Sequence, residues 1–246
     1  MRFLALSIFF LLSSCSHLPN KTASGDPEKA LQILRENLSQ RKNFAANGSI
    51  TVVNKAKNSS AGALFFVENP GILRMEVQDP LGAVHALLIL NQDQFWWFDS
   101  HKNKAWTGDT RKARLPLPLN AEDFISLMLA QPEINENIIK LIPGEVEYRS
   151  NRNRIEKIHW NRDFEPEDWE FLIDANRTVK VQYPEYMHSN GRRLPAVVIA
   201  EIMLNGELEY KFSWRAREFS PFQKNKNLFQ IPPKNLSSDI RVIKDR

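Results

Sequence analysis

The stretch from Leu73 to Asn91, LRMEVQDPLGAVHALLILN, constrains the fold of this 246-residue chain more than any other. In its first half Leu73, Met75 and Val77 alternate with Arg74, Glu76 and Gln78. That period of two marks a strand with one buried face. Its second half, Ala83 to Asn91, is apolar at nearly every position, which suits a strand covered on both faces. Between them Asp79-Pro80-Leu81-Gly82 reverses the chain, Pro80 fixing φ and Gly82 permitting a positive one. The turn chemistry gives Leu81 no role. A leucine there either folds back onto the core or projects as an apolar tip towards a lipid or a protein partner.

The start of the chain bears on that choice. Met1 and Arg2 form a minimal basic region ahead of the apolar run Phe3 to Leu12, which is too short to span a bilayer and reads as a secretory signal covering residues 1–14. Leu12-Ser13-Ser14-Cys15 places small residues before a cysteine, the lipobox pattern of bacterial lipoproteins, whose thiol is acylated with chains such as palmitate. The alternative is an ordinary signal peptide with an incidental cysteine. Cys15 is the only cysteine in the chain, so it has no intramolecular disulfide partner, and it is the expected lipid-attachment residue. Ser16 follows it; in the lipoproteins this resembles, an aspartate there directs retention in the inner membrane, so its absence points to the outer membrane.

The remainder reads as a tether over residues 15–25, one domain over 26–220 and a polar C-terminal tail over 221–246. Asp26-Pro27-Glu28 opens a helix, with Leu31, Leu34 and Leu38 recurring at helical spacing to about Gln40. Strands follow at Ser49–Lys55 and Ala61–Glu68, with a loop expected over Ala56–Ser60, then the organising hairpin. Next come the aromatic strand Gln94–Asp99 and a short partner at Lys104–Gly108, the pattern of a meander. Leu115-Pro116-Leu117-Pro118-Leu119 cannot be helix interior. Asn120 then caps a helix, with Asp123 three residues on, in which Phe124, Leu127 and Met128 share a face, and a second helical piece is expected over Glu133–Leu141. Strands resume at Glu145–Ser150, Ile155–Asn161, Trp169–Asp174 and Thr178–Tyr183. They end in a hairpin, Pro195–Leu204 and Glu207–Phe219, across Asn205-Gly206. The expected fold is α+β: a large, strongly curved antiparallel sheet with helices on its open side.

Chemistry-bearing motifs are sparse. The formal net charge is +4, too small a bias to indicate nucleic acid. Arg149 to Arg154 gathers arginines around asparagines in a turn, expected as a solvated loop, and Glu165, Glu167, Asp168 and Glu170 cluster in a proline-containing segment with the same expectation. The five histidines show no metal-ligand spacing, and no nucleophile elbow, P-loop or dinucleotide fingerprint occurs. His85, within an apolar strand, reads as a core or cavity-edge residue. No catalytic residue, metal or cofactor is therefore assigned.

Three segments together carry a resemblance: the lipobox, the strand–Asp-Pro-Leu-Gly–strand unit, and Leu115-Pro116-Leu117-Pro118-Leu119-Asn120 running into an apolar helix. They resemble the LolA/LolB lipoprotein-localisation family, in particular LolB, its outer-membrane receptor branch, and the order of elements is similar from residue 15 to about 219. The resemblance implies an open, incomplete β-barrel with helices as a lid over an apolar cavity. It further implies a receptor that accepts lipoproteins from a LolA-like periplasmic carrier, holds their acyl chains and inserts them into the outer membrane, without enzyme chemistry and as a monomer. It also implies that Pro80, Leu81 and Gly82 form a membrane-insertion loop. Candidate cavity-lining residues are Phe66, Leu88, Phe95, Trp97, Phe124, Leu127 and Met128, each of which could equally be plain core. The chain departs from the family in extra residues around Phe164–Glu167 and a longer tail. Two rivals remain: a lipid-anchored structural or ligand-binding protein of the same fold with a different apolar cargo, and a lipid-acting hydrolase that would depend on Glu165 and Asp168 or on His85.

Overall fold

Asp26 starts the first element: its side chain accepts a hydrogen bond from the Glu28 N–H at 3.0 Å, and Pro27 opens helix α1, Pro27–Ser39. Ala30, Leu31, Leu34 and Leu38 form its buried stripe. The computed structural model describes residues 26–68, 71–91, 93–110, 115, 117–220, 229 and 241–244; the signal segment, Cys15 and the tether lie outside them. After α1 come strands β1 (Asn43–Asn54), β2 (Lys57–Glu68), β3 (Ile72–Gln78), β4 (Val84–Asn91), β5 (Gln94–Asp99) and β6 (Lys104–Asp109). Helix α2 (Ala121–Leu129) leads to β7 (Ile138–Ile142), β8 (Glu145–Arg149), β9 (Ile155–Trp160), β10 (Pro166–Leu172), β11 (Arg177–Ser189), β12 (Arg192–Leu204) and β13 (Glu207–Ser220), with β14 at Arg241–Lys244.

The strands form one sheet in the order β14-β6-β5-β4-β3-β2-β1-β13-β12-β11-β10-β9-β8-β7. It consists of two antiparallel meanders, β1 to β6 and β7 to β13, laid side by side so that the first strand of one pairs with the last strand of the other. β14 adds to β6 in parallel. The ends β14 and β7 do not pair with each other, so the curved sheet stays open. The seam between the meanders runs from Ala45↔Ser220 to Asn54↔Tyr210, with an irregularity at Asn47/Gly48. There the two backbones approach closely: a Cβ on Gly48 would lie 2.1 Å from the Arg215 carbonyl oxygen and 2.7 Å from Trp214 Cη2. Only glycine fits.

Both helices contribute to the core on one face of the sheet, where Phe65, Met75, Leu88, Phe95, Val146, Val198 and Phe212 are fully buried or nearly so. The other face differs between the meanders. On β8 to β13 it carries a charged ladder, in which Glu147, Lys157, Glu170, Lys180, Glu201 and Lys211 stand opposite one another across six strands with alternating sign. On β4, β5 and β6 it is apolar, and Ile89, Trp96 and Ala105 form a second buried cluster with Leu87 and Phe98 against it. Leu88 to Leu90 are therefore covered on both faces, as their unbroken apolar run implies.

Several expectations change. Glu133–Leu141 is not helical: Ile138–Ile142 is strand β7, turned into β8 at Pro143-Gly144. A short apolar run does not distinguish helix from strand by period alone. The expected loop Ala56–Ser60 is mostly strand, because Asn54 pairs with Lys57 and the ladder continues through exposed residues. The same Asn-Gly chemistry that turns β12 into β13 also turns β11 into β12 at Asn190-Gly191. The tail contributes β14 and a buried Phe229, whose carbonyl accepts from Asn91 Nδ2 at 3.3 Å.

Candidate functional site

The β3–β4 loop is built around one carboxylate. Asp79 Oδ1 accepts from the N–H of Leu81 at 2.8 Å and of Ala83 at 2.9 Å. Across the backbone, Asp79 N–H donates to the Ala83 carbonyl and Gly82 N–H to the Asp79 carbonyl, both at 3.0 Å. Gly82 sits at φ +85, open to glycine. The Ala83 N–H is the main cause holding the Asp79 carboxyl below its usual range, with His85 and the Leu81 N–H adding to it. At the tip of this closed loop the Leu81 side chain is 94% exposed.

Beside this loop His85 Nε2 lies 3.1 Å from Asp79 Oδ2, and the His85 ring stacks on His101 with centroids 4.8 Å apart and planes 6° from parallel. Ser100 donates its backbone N–H to the His85 carbonyl at 2.9 Å, and its Oγ is 3.5 Å from His85 Nδ1. His85 is half-buried at the strand's end, not a core residue.

Beneath α2 the structure is closed. Phe124, Leu127 and Met128 are each 0% exposed, and Phe124 meets Phe212 at 5.6 Å and Phe65 at 6.5 Å between ring centroids. Leu88 and Phe95 belong to this core, with Trp97 partly buried against it. Six of the seven candidate lining residues thus face one shared interior, packed as core. Phe66 does not: alternation along β2 puts Phe65 in that interior and Phe66 on the opposite face, across from Ala45 and Arg74. An open cleft of about 1190 Å³ lies between the two helices, lined by Leu38, Ile125, Pro132 and Ile134 with Arg35 and Arg152 at its polar side.

α2 is gripped at both ends. Asn120 caps it by accepting from the Asp123 N–H at 2.8 Å. The buried Asp123 carboxylate receives Arg154 in two bonds of 2.7 and 2.9 Å and also pairs with Arg152. Arg154 lies over the Phe171 ring at 4.1 Å and bonds Glu156 at 2.7 Å; Glu156 in turn accepts from Tyr148 and Trp169. Burial, followed by the Glu156 charge, pushes the Tyr148 phenol up. At the other end, Arg41 donates to the Ala130 carbonyl at 2.8 Å and pairs with Glu165, and Tyr183 donates to the Leu127 carbonyl at 3.2 Å. Burial pulls the Arg41 pKa down. Arg152, Arg154 and Glu165, expected in solvated loops, are in fact the partners that hold α2 and α1's exit. Their charge runs carried no sign of burial, since each partner lies far away in sequence.

Among the described residues no group of three His, Cys, Asp or Glu side chains could hold a metal ion, and no helix is long and apolar enough to cross a membrane. No family model matches the sequence, and no curated protein matches it. Solved structures do share its architecture. A LolA superfamily protein from Nitrosomonas europaea superposes over 85% of this chain and 99% of its own, with a TM-score of 0.56 and 12% identity. A DUF1329 family protein from Desulfovibrio piger covers 84% and 98% with a TM-score of 0.58 and 10% identity. A domain described as an outer membrane lipoprotein-sorting protein, from Vibrio parahaemolyticus, covers 83% and 97% with a TM-score of 0.52 and 10% identity. The open sheet with its two helices on one face is a LolA-like fold.

Proposed function

We propose that this protein is a lipid-anchored outer-membrane lipoprotein that receives lipoproteins from a LolA-like periplasmic carrier, shelters their acyl chains beside α2 and inserts them into the membrane. The observation that carries this reading is Leu81: a large apolar side chain, 94% exposed, at the tip of a loop braced by the Asp79 carboxylate. Support also comes from the LolA-like fold and from the names of its neighbours, one a LolA superfamily protein and one a lipoprotein-sorting domain. An acyl chain in water costs about 0.8 kcal/mol per CH₂, so a carrier needs an apolar shelter. The apolar side of the cleft between the helices adjoins the interior where Phe124, Leu127 and Met128 meet the sheet. Transfer needs no covalent step if affinity rises from carrier to receptor to membrane. Cys15 provides the anchor, and Cys15→Ala should move the protein from the outer-membrane fraction to the soluble periplasmic one.

The test is transfer of a labelled lipoprotein into outer-membrane vesicles by the Leu81→Glu variant. Cargo should still pass from the carrier to the variant, while its incorporation into vesicles falls. Normal incorporation would make the loop only a loop. The filled interior beneath α2 favours a second reading, a lipid-anchored protein of this fold with a different apolar cargo, and failure to accept lipoprotein from the carrier would support it.

A further inference from the structure

The histidine pair at the foot of the Leu81 loop has a charge problem that the protein itself solves only by half. Two imidazole rings lie parallel, 4.8 Å apart, so protons on both would place two cations face to face. The groups facing them are few. From the β3–β4 loop comes the Asp79 carboxylate, 3.1 Å from His85 Nε2; from the β5–β6 turn come the Ser100 hydroxyl and the Asp99–Lys102 pair. Asp99 is already engaged, accepting the Lys102 N–H at 3.1 Å and lying 3.2 Å from Lys102 Nζ. Asp79 therefore faces the His85 ring alone. His101 is exposed beside it; its backbone N–H is a further donor to Asp99, and its ring meets His85 and no carboxylate among the described contacts.

We infer that the His85–His101 stack is a headgroup-binding site, in which an anionic phospholipid phosphate balances the second imidazolium while Leu81 enters the acyl layer above it. The chemistry fits the depth: a leucine at the tip belongs among acyl chains, and a polar aromatic pair one loop lower lies where headgroups are. Val84, 38% exposed, lies between Leu81 and His85 in sequence and adds a second exposed apolar side chain. Each added positive charge near an anionic surface contributes about 1 kcal/mol, a gain of about fivefold in binding. This inference rests on the reading of Leu81 as a membrane tip and names the lipid that the tip meets.

The experiment measures binding of the processed chain, residues 15–246 with Cys15→Ala, so that neither signal segment nor lipid anchor contributes, to vesicles of phosphatidylcholine alone or mixed with phosphatidylglycerol. Binding to the mixed vesicles should be about fivefold tighter at about pH 6, and the preference should shrink at about pH 8. The His85→Gln/His101→Gln variant should lose that preference, yet keep the binding to phosphatidylcholine that depends on Leu81. A wild-type protein indifferent to phosphatidylglycerol, or a double variant that keeps the full preference, would overturn the inference and leave the tip reading standing. If free inorganic phosphate competes as well as vesicles do, the site is a phosphate site and not a membrane one, which also overturns it. Should Leu81→Glu bind phosphatidylcholine as well as the wild type does, the tip reading itself fails.

Discussion

A residue with no neighbours in the folded state has little to lose by substitution. Leu81→Glu should accordingly change the unfolding free energy by no more than about 0.5 kcal/mol, and a thermal melt beside the transfer assay checks it. A large drop would mean that the side chain packs somewhere. Glu145 is the opposite case. Burial pushes its carboxyl up, but Lys140, His159 and Lys157 at 2.7 to 3.1 Å outweigh this and hold it down at about 2. A depressed acid stabilises the fold above its ordinary range and loses that contribution as pH falls. The wild type should therefore exceed Glu145→Gln by about 1–3 kcal/mol near neutrality, with the gap closing between about pH 5 and pH 2. Melting both proteins across that range decides it, and a gap that ignores pH would count against the assignment.

At the scale of elements, α2 depends on a carboxylate taken out of water. Breaking a buried ion pair by removing one partner costs about 3–5 kcal/mol, so Asp123→Ala should lower the thermal midpoint by about 6–20 °C, while Asp123→Asn, which keeps the neighbours' donors partly satisfied, should lose less. Equal losses would show that shape, not charge, holds the helix. The strand–turn–strand unit around Leu81 was legible in the sequence because alternation, proline and glycine all agree there. The capped start of α2 was legible too, in Asn120 and Asp123. Phe66 was not placed correctly, although counting by twos from Val67 selects Phe65. Ile138–Ile142 misled because five residues are too few to show a period. The partners of Asp123 and Arg41 left no local trace, since Arg154 and Glu165 reach them only through the fold.

For the whole molecule, the decisive contact is the seam of β1 with β13. Gly48→Ala should cost about 1–3 kcal/mol through overpacking against Arg215 and Trp214, which a denaturant midpoint would register; an unchanged midpoint would mean that the seam has slack. The two sides of the sheet are also unequal, with a charged ladder outside one meander and an apolar cluster outside the other. The order of the strands in space has a further consequence in time. Each meander can zip from neighbour to neighbour as the chain emerges, but β1 must wait for β13, whose residues come last in the domain. Long-range pairing of this kind slows folding. Throughout that wait the free rim of β1, Asn43–Asn54, stays open to a wrong partner. In pulse-labelling during refolding its amides facing β13 should gain protection last, and the half-made protein is at its most vulnerable to aggregation until β13 docks.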